Sequence, residues 1–195
     1  ADAVVSLPAD ALTVDDRRHA RLYLRDEVRV LLVNGEPRTV RHDDELFYLE
    51  TALRPGDRSD AGIQLTVTTV DGLPEVPLGN FDVIVLANVA ALLPERVDAI
   101  GEWVAAGGGL WITLGDNVDR EAYARTMSAL LPQAVLDPID VAWKAPRPEQ
   151  RSRALHLTKW QPDHPIFAPF PSDAPGLRDA SFLRLHLLGP STSEA

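Results

Sequence analysis

The sequence predicts an α/β fold built around a mainly parallel sheet, and three observations carry that expectation. Val28 to Val33 (VRVLLV) and Phe81 to Leu86 (FDVIVL) are near-continuous aliphatic and β-branched runs, the mark of strands buried on both faces. Between and after them lie stretches with apolar residues at helical spacing, so strands and helices alternate along the chain. The third is Val97 to Asn117, VDAIGEWVAAGGGLWITLGDN. It passes from a helix through a glycine stop into a short strand and a turn.

Residues 1–25 read differently. Val4 to Leu7 and Ala20 to Leu24 are short extended pieces around an acidic turn at Asp15 and Asp16. Two strands without an intervening helix suit an antiparallel hairpin and not a parallel sheet. The arm is read as the end of a preceding β-sandwich. An isolated hairpin is marginal in water, so it is expected to pack on the main body or on another chain.

The α/β domain is read over residues 26–190, with 191–195 as a tail. After the first strand, Asn34-Gly35-Glu36-Pro37 forms a turn. Asp43 or Asp44 then caps a helix that puts Leu46, Phe47, Leu49 and Leu53 on one face, closed by Pro55-Gly56. Ile63 to Val70 alternates and reads as a strand near the sheet edge. Leu73 and Val76 pack down from the loop that follows. Pro94 opens a helix to residue 106, where Gly107, Gly108 and Gly109 stop it. Leu110 to Leu114 is the next strand, and Asp119 to Leu131 a helix with Tyr123, Met127, Leu130 and Leu131 on one side, ended by Pro132.

Beyond it, Ala134 to Trp143, Ala154 to Trp160 and Phe182 to Leu188 read as strands of a mixed extension, and HPIFAPF (164–170) as a loop or short helix. KAPRPEQRSR (144–153) reads as disordered. Right-handed crossovers through these units give a flavodoxin-like three-layer sandwich, with the strand at 28–33 beside that at 81–86. Ligands in such sheets bind at the strands' carboxyl ends. The candidate rim is therefore Asn34, Glu36, Asn88, Gly115, Asp116 and Asn117.

Composition narrows the chemistry. The net charge of −10, from 29 acidic and 19 basic residues, argues against a nucleic-acid groove, which needs clustered Lys and Arg. No apolar run approaches the roughly 20 residues of a membrane span. There is no cysteine, which removes disulfides, thiolate metal sites and cysteine nucleophiles together.

Within the rim, Asn34-Gly35-Glu36-Pro37 lacks phosphate-loop spacing, and Glu36 would repel phosphate. The three glycines precede a strand instead of opening a helix, so they form no dinucleotide fingerprint. Asp116 lies where an α/β nucleophile would, but Asp116, Asn117 and Asp119 all precede a helical run, and capping is the simpler reading. Glu36, Asp43, Asp44 and Glu45 with His42 lack an EF-hand or HExxH spacing and read as an acidic helix start. His156, His164 and His186 belong to no metal or triad signature, and no GxSxG occurs. Trp103, Trp111, Trp143 and Trp160 read as core or half-buried packing groups. No catalytic residue, metal or cofactor is assigned.

With these segments in place, VRVLLVNGEP, FDVIVLANVAALLPERVDAIGEWVAAGGGLWITLGDN and the later HPIF resemble the class I glutamine amidotransferase-like superfamily, over roughly residues 26–170. More narrowly, DALTVDDRR at 10–18 leading into this domain resembles bacterial membrane-anchored proteins of the Bat type that also carry von Willebrand factor A domains. True amidotransferases place a cysteine in the turn after the GGGL-type strand and a His-Glu pair later. Here that turn is Gly115-Asp116-Asn117, and no HxE follows HPIF.

The resemblance thus implies a non-catalytic interaction or sensing module in a larger membrane-anchored protein. Its partners would be proteins: other domains of the same polypeptide, or a membrane complex. The alternative is a small-molecule hydrolase or ligand-binding enzyme using the rim carboxylates Glu36 and Asp116.

Overall fold

The computed structural model describes residues 2–6, 17–21, 27–54, 62–141, 154–171 and 174–190. Strands β1 (Asp2–Ser6) and β2 (Arg17–Arg21) form an antiparallel two-stranded hairpin. The second of these starts earlier than the sequence suggests, and Leu7, the Asp15-Asp16 turn and Leu22 to Leu24 lie outside the described residues. So do 144–153 and the tail 191–195.

The central sheet is assembled from β3 (Val28–Asn34), β4 (Ile63–Thr69), β5 (Val83–Ala87) and β6 (Gly109–Thr113), with helices α1 (Phe47–Leu53) and α2 (Pro94–Ala105) in the crossovers. All four strands are parallel, in the order β4-β3-β5-β6. The pairing of the 28–33 and 81–86 segments thus stands as expected. β3 and β5 are buried along nearly their whole length, while β4, at one edge, alternates in exposure. At the amino end, Asp82 accepts from the backbone N–H of Arg29 at 2.9 Å and faces its guanidinium at 3.3 Å, aligning β5 with β3.

Side chains of successive strand residues face opposite sides, and each side has its own core. Leu31, Val33, Ile84 and Leu86 pack with Val97 and Ile100 of α2 and with Tyr123 and Met127. On the other side Val30, Leu32 and Val85 pack under Leu46, with Leu49 and Leu53 of α1. Burying each such side chain contributes about 2 kcal/mol, so the alternation itself holds the layers together.

Pro94 occupies the first turn of α2 as expected, and the glycine stop is equally specific. Gly107 has φ +104°, and a Cβ on Gly108 would lie 2.4 Å from the Trp103 ring.

Several elements depart from expectation. The helix read from Asp43 or Asp44 begins only at Phe47, after a 3-10 turn over Arg41–Asp43. Asp44 instead accepts from the N–H of Leu46 at 3.0 Å and from groups across the loop. The 119–131 helix is mixed: α3 (Arg120–Ala122), a π turn (Tyr123–Met127) and a 3-10 turn (Ser128–Leu130). The Thr126 hydroxyl donates to the Ala122 carbonyl at 2.9 Å. It competes there with the regular backbone bond of the same spacing.

β7 (Val135–Asp140), a short α4 (Pro175–Asp179) and β8 (Arg184–Leu188) complete the described chain, β7 and β8 pairing antiparallel. The strand read at 154–160 is absent. Only Leu155 pairs, exchanging two 2.8 Å bonds with Phe182, ahead of β8. HPIF forms turns closed by bonds from Phe167 and Ala168 to the His164 carbonyl. Trp111 is 54% exposed, against the packing role read for it. It sits mid-strand at the β6 edge, on the side of the smaller core.

Candidate functional site

The carboxyl ends of β3, β5 and β6 meet at a polar cluster built on two buried asparagines. Asn34 ends β3 and Asn88 follows β5; they are 6% and 1% exposed. The chain passes closely here. A Cβ on Gly35 would fall 2.1 Å from the Asn88 carbonyl oxygen, and one on Gly115 2.3 Å from the Asn88 side-chain oxygen. Only glycine fits at either place, which lets three loops share one small volume.

Asn34 directs its amide nitrogen at both carboxylate oxygens of Asp44, each at 2.9 Å, while its oxygen accepts from the N–H of Glu36 at 3.0 Å. Asp44 also accepts from the N–H of Arg38 at 3.0 Å. Burial disfavours the Asp44 charge, but the bonds from Arg38, Leu46 and Asn34 outweigh it and hold this carboxyl below its ordinary range.

Asn88 adopts φ +51°, a left-handed conformation that asparagine tolerates better than most residues. Its oxygen accepts from the N–H of Asn117 at 2.9 Å, which fixes the amide orientation. Its nitrogen therefore faces Glu36 at 3.3 Å, Glu45 at 3.0 Å and Asp116 at 3.1 Å. An amide NH2 carries two hydrogens, so three carboxylates share two donors. Arg38 supplies the compensating cation, 2.8 Å from Glu36, 3.6 Å from Asp116 and 3.9 Å from Glu45. Its bond to Glu36, then the surrounding negative charge, raises the guanidinium pKa. Glu45 is shifted upward, first by desolvation and then by Asp116 and Glu36, against the opposing pull of Asn88 and Arg38.

The six residues read from the sequence as a rim therefore gather in space. The roles read for two of them change. Asp116 is no helix cap: it turns to Asn88 and Arg38, and Asp119 alone caps α3, accepting from Ala122 N–H at 3.0 Å. The Asn117 amide donates to the Gly35 carbonyl at 3.1 Å and the Asn88 carbonyl at 3.2 Å, tying loop to loop. Gly115 offers its carbonyl to His186 of β8, whose Nε2 lies 3.0 Å away.

The acidic helix start divides. Glu45 joins the cluster and Asp44 the Asn34 pair, while His42 and Asp43 face each other at 3.6 Å on the surface. Arg38 is the participant that sequence reasoning missed. Its signal lies in Glu36-Pro37-Arg38, a proline-stiffened turn with opposite charges two residues apart.

Chemically, Glu36, Glu45 and Asp116 bring one oxygen each within 4.8 Å of one another. Hard cations favour such donors, but Arg38 already supplies positive charge to the group. Three N–H groups at the strand ends are bonded inward: Gly35 to Ala87 at 2.8 Å, Glu36 to Asn34, Asn117 to Asn88. Beside the cluster, a polar hollow of about 340 Å³ is lined by Asn34, Arg38, Arg41, Asp44, Phe47 and Glu50, among others. A comparison with protein-family models, with curated proteins and with solved structures finds no match for this chain.

Proposed function

We propose that this chain is a non-catalytic member of the class I glutamine amidotransferase-like superfamily, on a flavodoxin-like three-layer frame. In this reading it is an interaction or sensing module of a larger bacterial membrane-anchored protein of the Bat and von Willebrand factor A type. The sequence resemblance supplies the frame and the context. One observation supports the loss of chemistry: the N–H groups of Gly35, Glu36 and Asn117 are bonded within the fold. Acyl transfer needs an activated nucleophile and free donors aimed at the developing oxyanion. Asp116 instead faces Arg38 and Asn88, and the N–H groups of Glu36 and Asn117 serve the two asparagines.

The expected result with purified protein and glutamine is no release of ammonia. Asp116→Cys should stay inactive as well, because a thiol alone leaves those donors committed. Ammonia release abolished by Asp116→Asn overturns the proposal.

The second reading, a ligand-binding enzyme working through rim carboxylates, is favoured by the convergence of Glu36, Glu45 and Asp116 within 4.8 Å. It requires turnover of a small ester or amide that disappears in Asp116→Asn. A neutral panel of such substrates left unchanged by the protein removes it.

A further inference from the structure

We propose that the free edge of β6 pairs with the same edge of a second copy of this chain, antiparallel and centred on Trp111. Gly109 N–H donates to the Asp82 carbonyl at 3.0 Å, and Asn88 N–H donates to the Thr113 carbonyl at 3.0 Å. In a parallel ladder the bonding residues alternate. Gly109, Trp111 and Thr113 therefore direct their backbone groups at β5, and Leu110 and Ile112 direct theirs outward. Among the described residues β6 pairs with β5 alone. The opposite edge of the sheet is guarded. Val28 N–H donates to the Gly62 carbonyl at 2.6 Å, so by the same alternation Leu65 turns its carbonyl away from β3, and Arg54 donates to that oxygen at 3.2 Å. Edge strands are commonly protected by charge, proline or a bulge. GLWIT has neither charge nor proline, and its ladder to β5 is regular.

Charge and register both argue for a second copy. A groove of about 430 Å³ runs along this edge, walled by Gly101 and Val104 of α2, Leu110, Ile112, Leu130 and Leu188, among others. No charged residue lines it, in a chain that is 25% charged and carries −10. Asp98 and Glu102 of the same helix are exposed and stay out of the wall. A two-fold axis sets a surface against itself, and like charges directly opposite each other are destabilising. An uncharged edge on an acidic chain is therefore the condition for self-pairing. The register meets the other condition. With Trp111 on the axis, Leu110 of each copy faces Ile112 of the other, so the outward donors and acceptors of both edges meet in bonded pairs. These side chains join the two grooves into one apolar face. On the other face Trp111 meets the partner's Trp111 in a narrow pair, about 4.5 Å between Cα atoms. That contact covers a ring that is 54% exposed in the single chain.

This deepens the interaction reading, on which its biological sense rests, by naming the partner. The chain has no cysteine, so single introduced cysteines report contacts without background. Trp111→Cys should form a disulfide-linked dimer under oxidised glutathione, since the narrow pair suits disulfide geometry. Gly109→Cys and Thr113→Cys should each stay unlinked alone and cross-link when mixed, because the register sets Gly109 opposite the partner's Thr113. Sedimentation of the wild type should show a dimer at about 0.1 mM. Salt should tighten it, because screening weakens the repulsion between two acidic chains. Amide exchange at Leu110 and Ile112 should be at least about tenfold slower in the dimer than in the dilute monomer. Trp111→Lys, an exposed change, should weaken dimerisation by about tenfold or more, and Trp111→Phe should retain it.

A wild-type protein that is monomeric at about 0.1 mM overturns the proposal. So does a dimer that dissociates as salt rises, that is unaffected by Trp111→Lys, or in which Thr113→Cys links to itself. Dimerisation alongside glutamine turnover would remove the non-catalytic reading and keep the edge contact. A monomer without turnover would do the reverse.

Discussion

Two buried asparagines end neighbouring strands of the same sheet and do different work. Asn34 meets one carboxylate, both of whose oxygens it reaches at 2.9 Å, and every group in that arrangement finds a partner. Asn88 meets three carboxylates with two hydrogens, in a left-handed conformation, with an arginine at the solvent side to offset the charge. The adjacent acids record the contrast: Asp44 is held below its ordinary range and Glu45 above. The first arrangement locks a loop. The second gathers three carboxylates around one amide and one guanidinium.

Replacing the hub should have the largest effect. Asn88→Ala leaves the Asn117 N–H without its acceptor, removes the donor shared by three carboxylates and keeps a strained φ, together costing about 3 kcal/mol. The urea midpoint measures it. Asn88→Gly should recover part of the loss, because glycine accepts that conformation; equal losses would mean that the backbone contributes nothing.

Asn34→Ala should cost less, about 2 kcal/mol, since Asp44 keeps its bonds from the N–H groups of Arg38 and Leu46. If it costs more than Asn88→Ala, the contrast between hub and lock is reversed.

Asp44→Asn tests the sign of the lowered pKa. A depressed carboxyl stabilises the fold above its unfolded value, about pH 4, and that contribution is lost as pH falls through the lower folded value. The variant should therefore be less stable than wild type at neutral pH. The gap should close in acid, as read from thermal midpoints across that range.

Glu45→Gln gives the smallest change, of opposite sign. The raised pKa means that wild type loses stability as pH rises from the ordinary glutamate value through the folded one. Glutamine removes that loss. At this exposed edge screening limits the gain to a few tenths of a kcal/mol. It should vanish below the glutamate range.

The sequence made the sheet readable because β3 and β5 are buried on both faces, and an uninterrupted apolar run is an unambiguous pattern. The alternation of Ile63 to Thr69 likewise located an edge strand, and the strands' carboxyl ends located the rim residues. Three features were not readable. The irregular helix after Asp119 keeps the apolar spacing of a regular one, so helical periodicity does not register its π and 3-10 turns. Leu155 to Trp160 has strand-like composition, yet pairing needs an available neighbour, and only Leu155 finds one. Arg38 enters the site because its loop folds back across three strand ends; the charge pair in Glu36-Pro37-Arg38 marks the local contact, and the contacts to Glu45 and Asp116 are a tertiary consequence.

The run Gly107-Gly108-Gly109 is three identical letters with unequal obligations. The first sits at φ +104° and the second lies against the Trp103 ring, but a Cβ on the third would meet Val83 at an ordinary 3.5 Å. Alanine should therefore be accepted at Gly109 and rejected at its two predecessors. The tolerance profile of this motif ends one letter before the motif does. A descendant of this chain could drift at the third position while keeping the same helix stop.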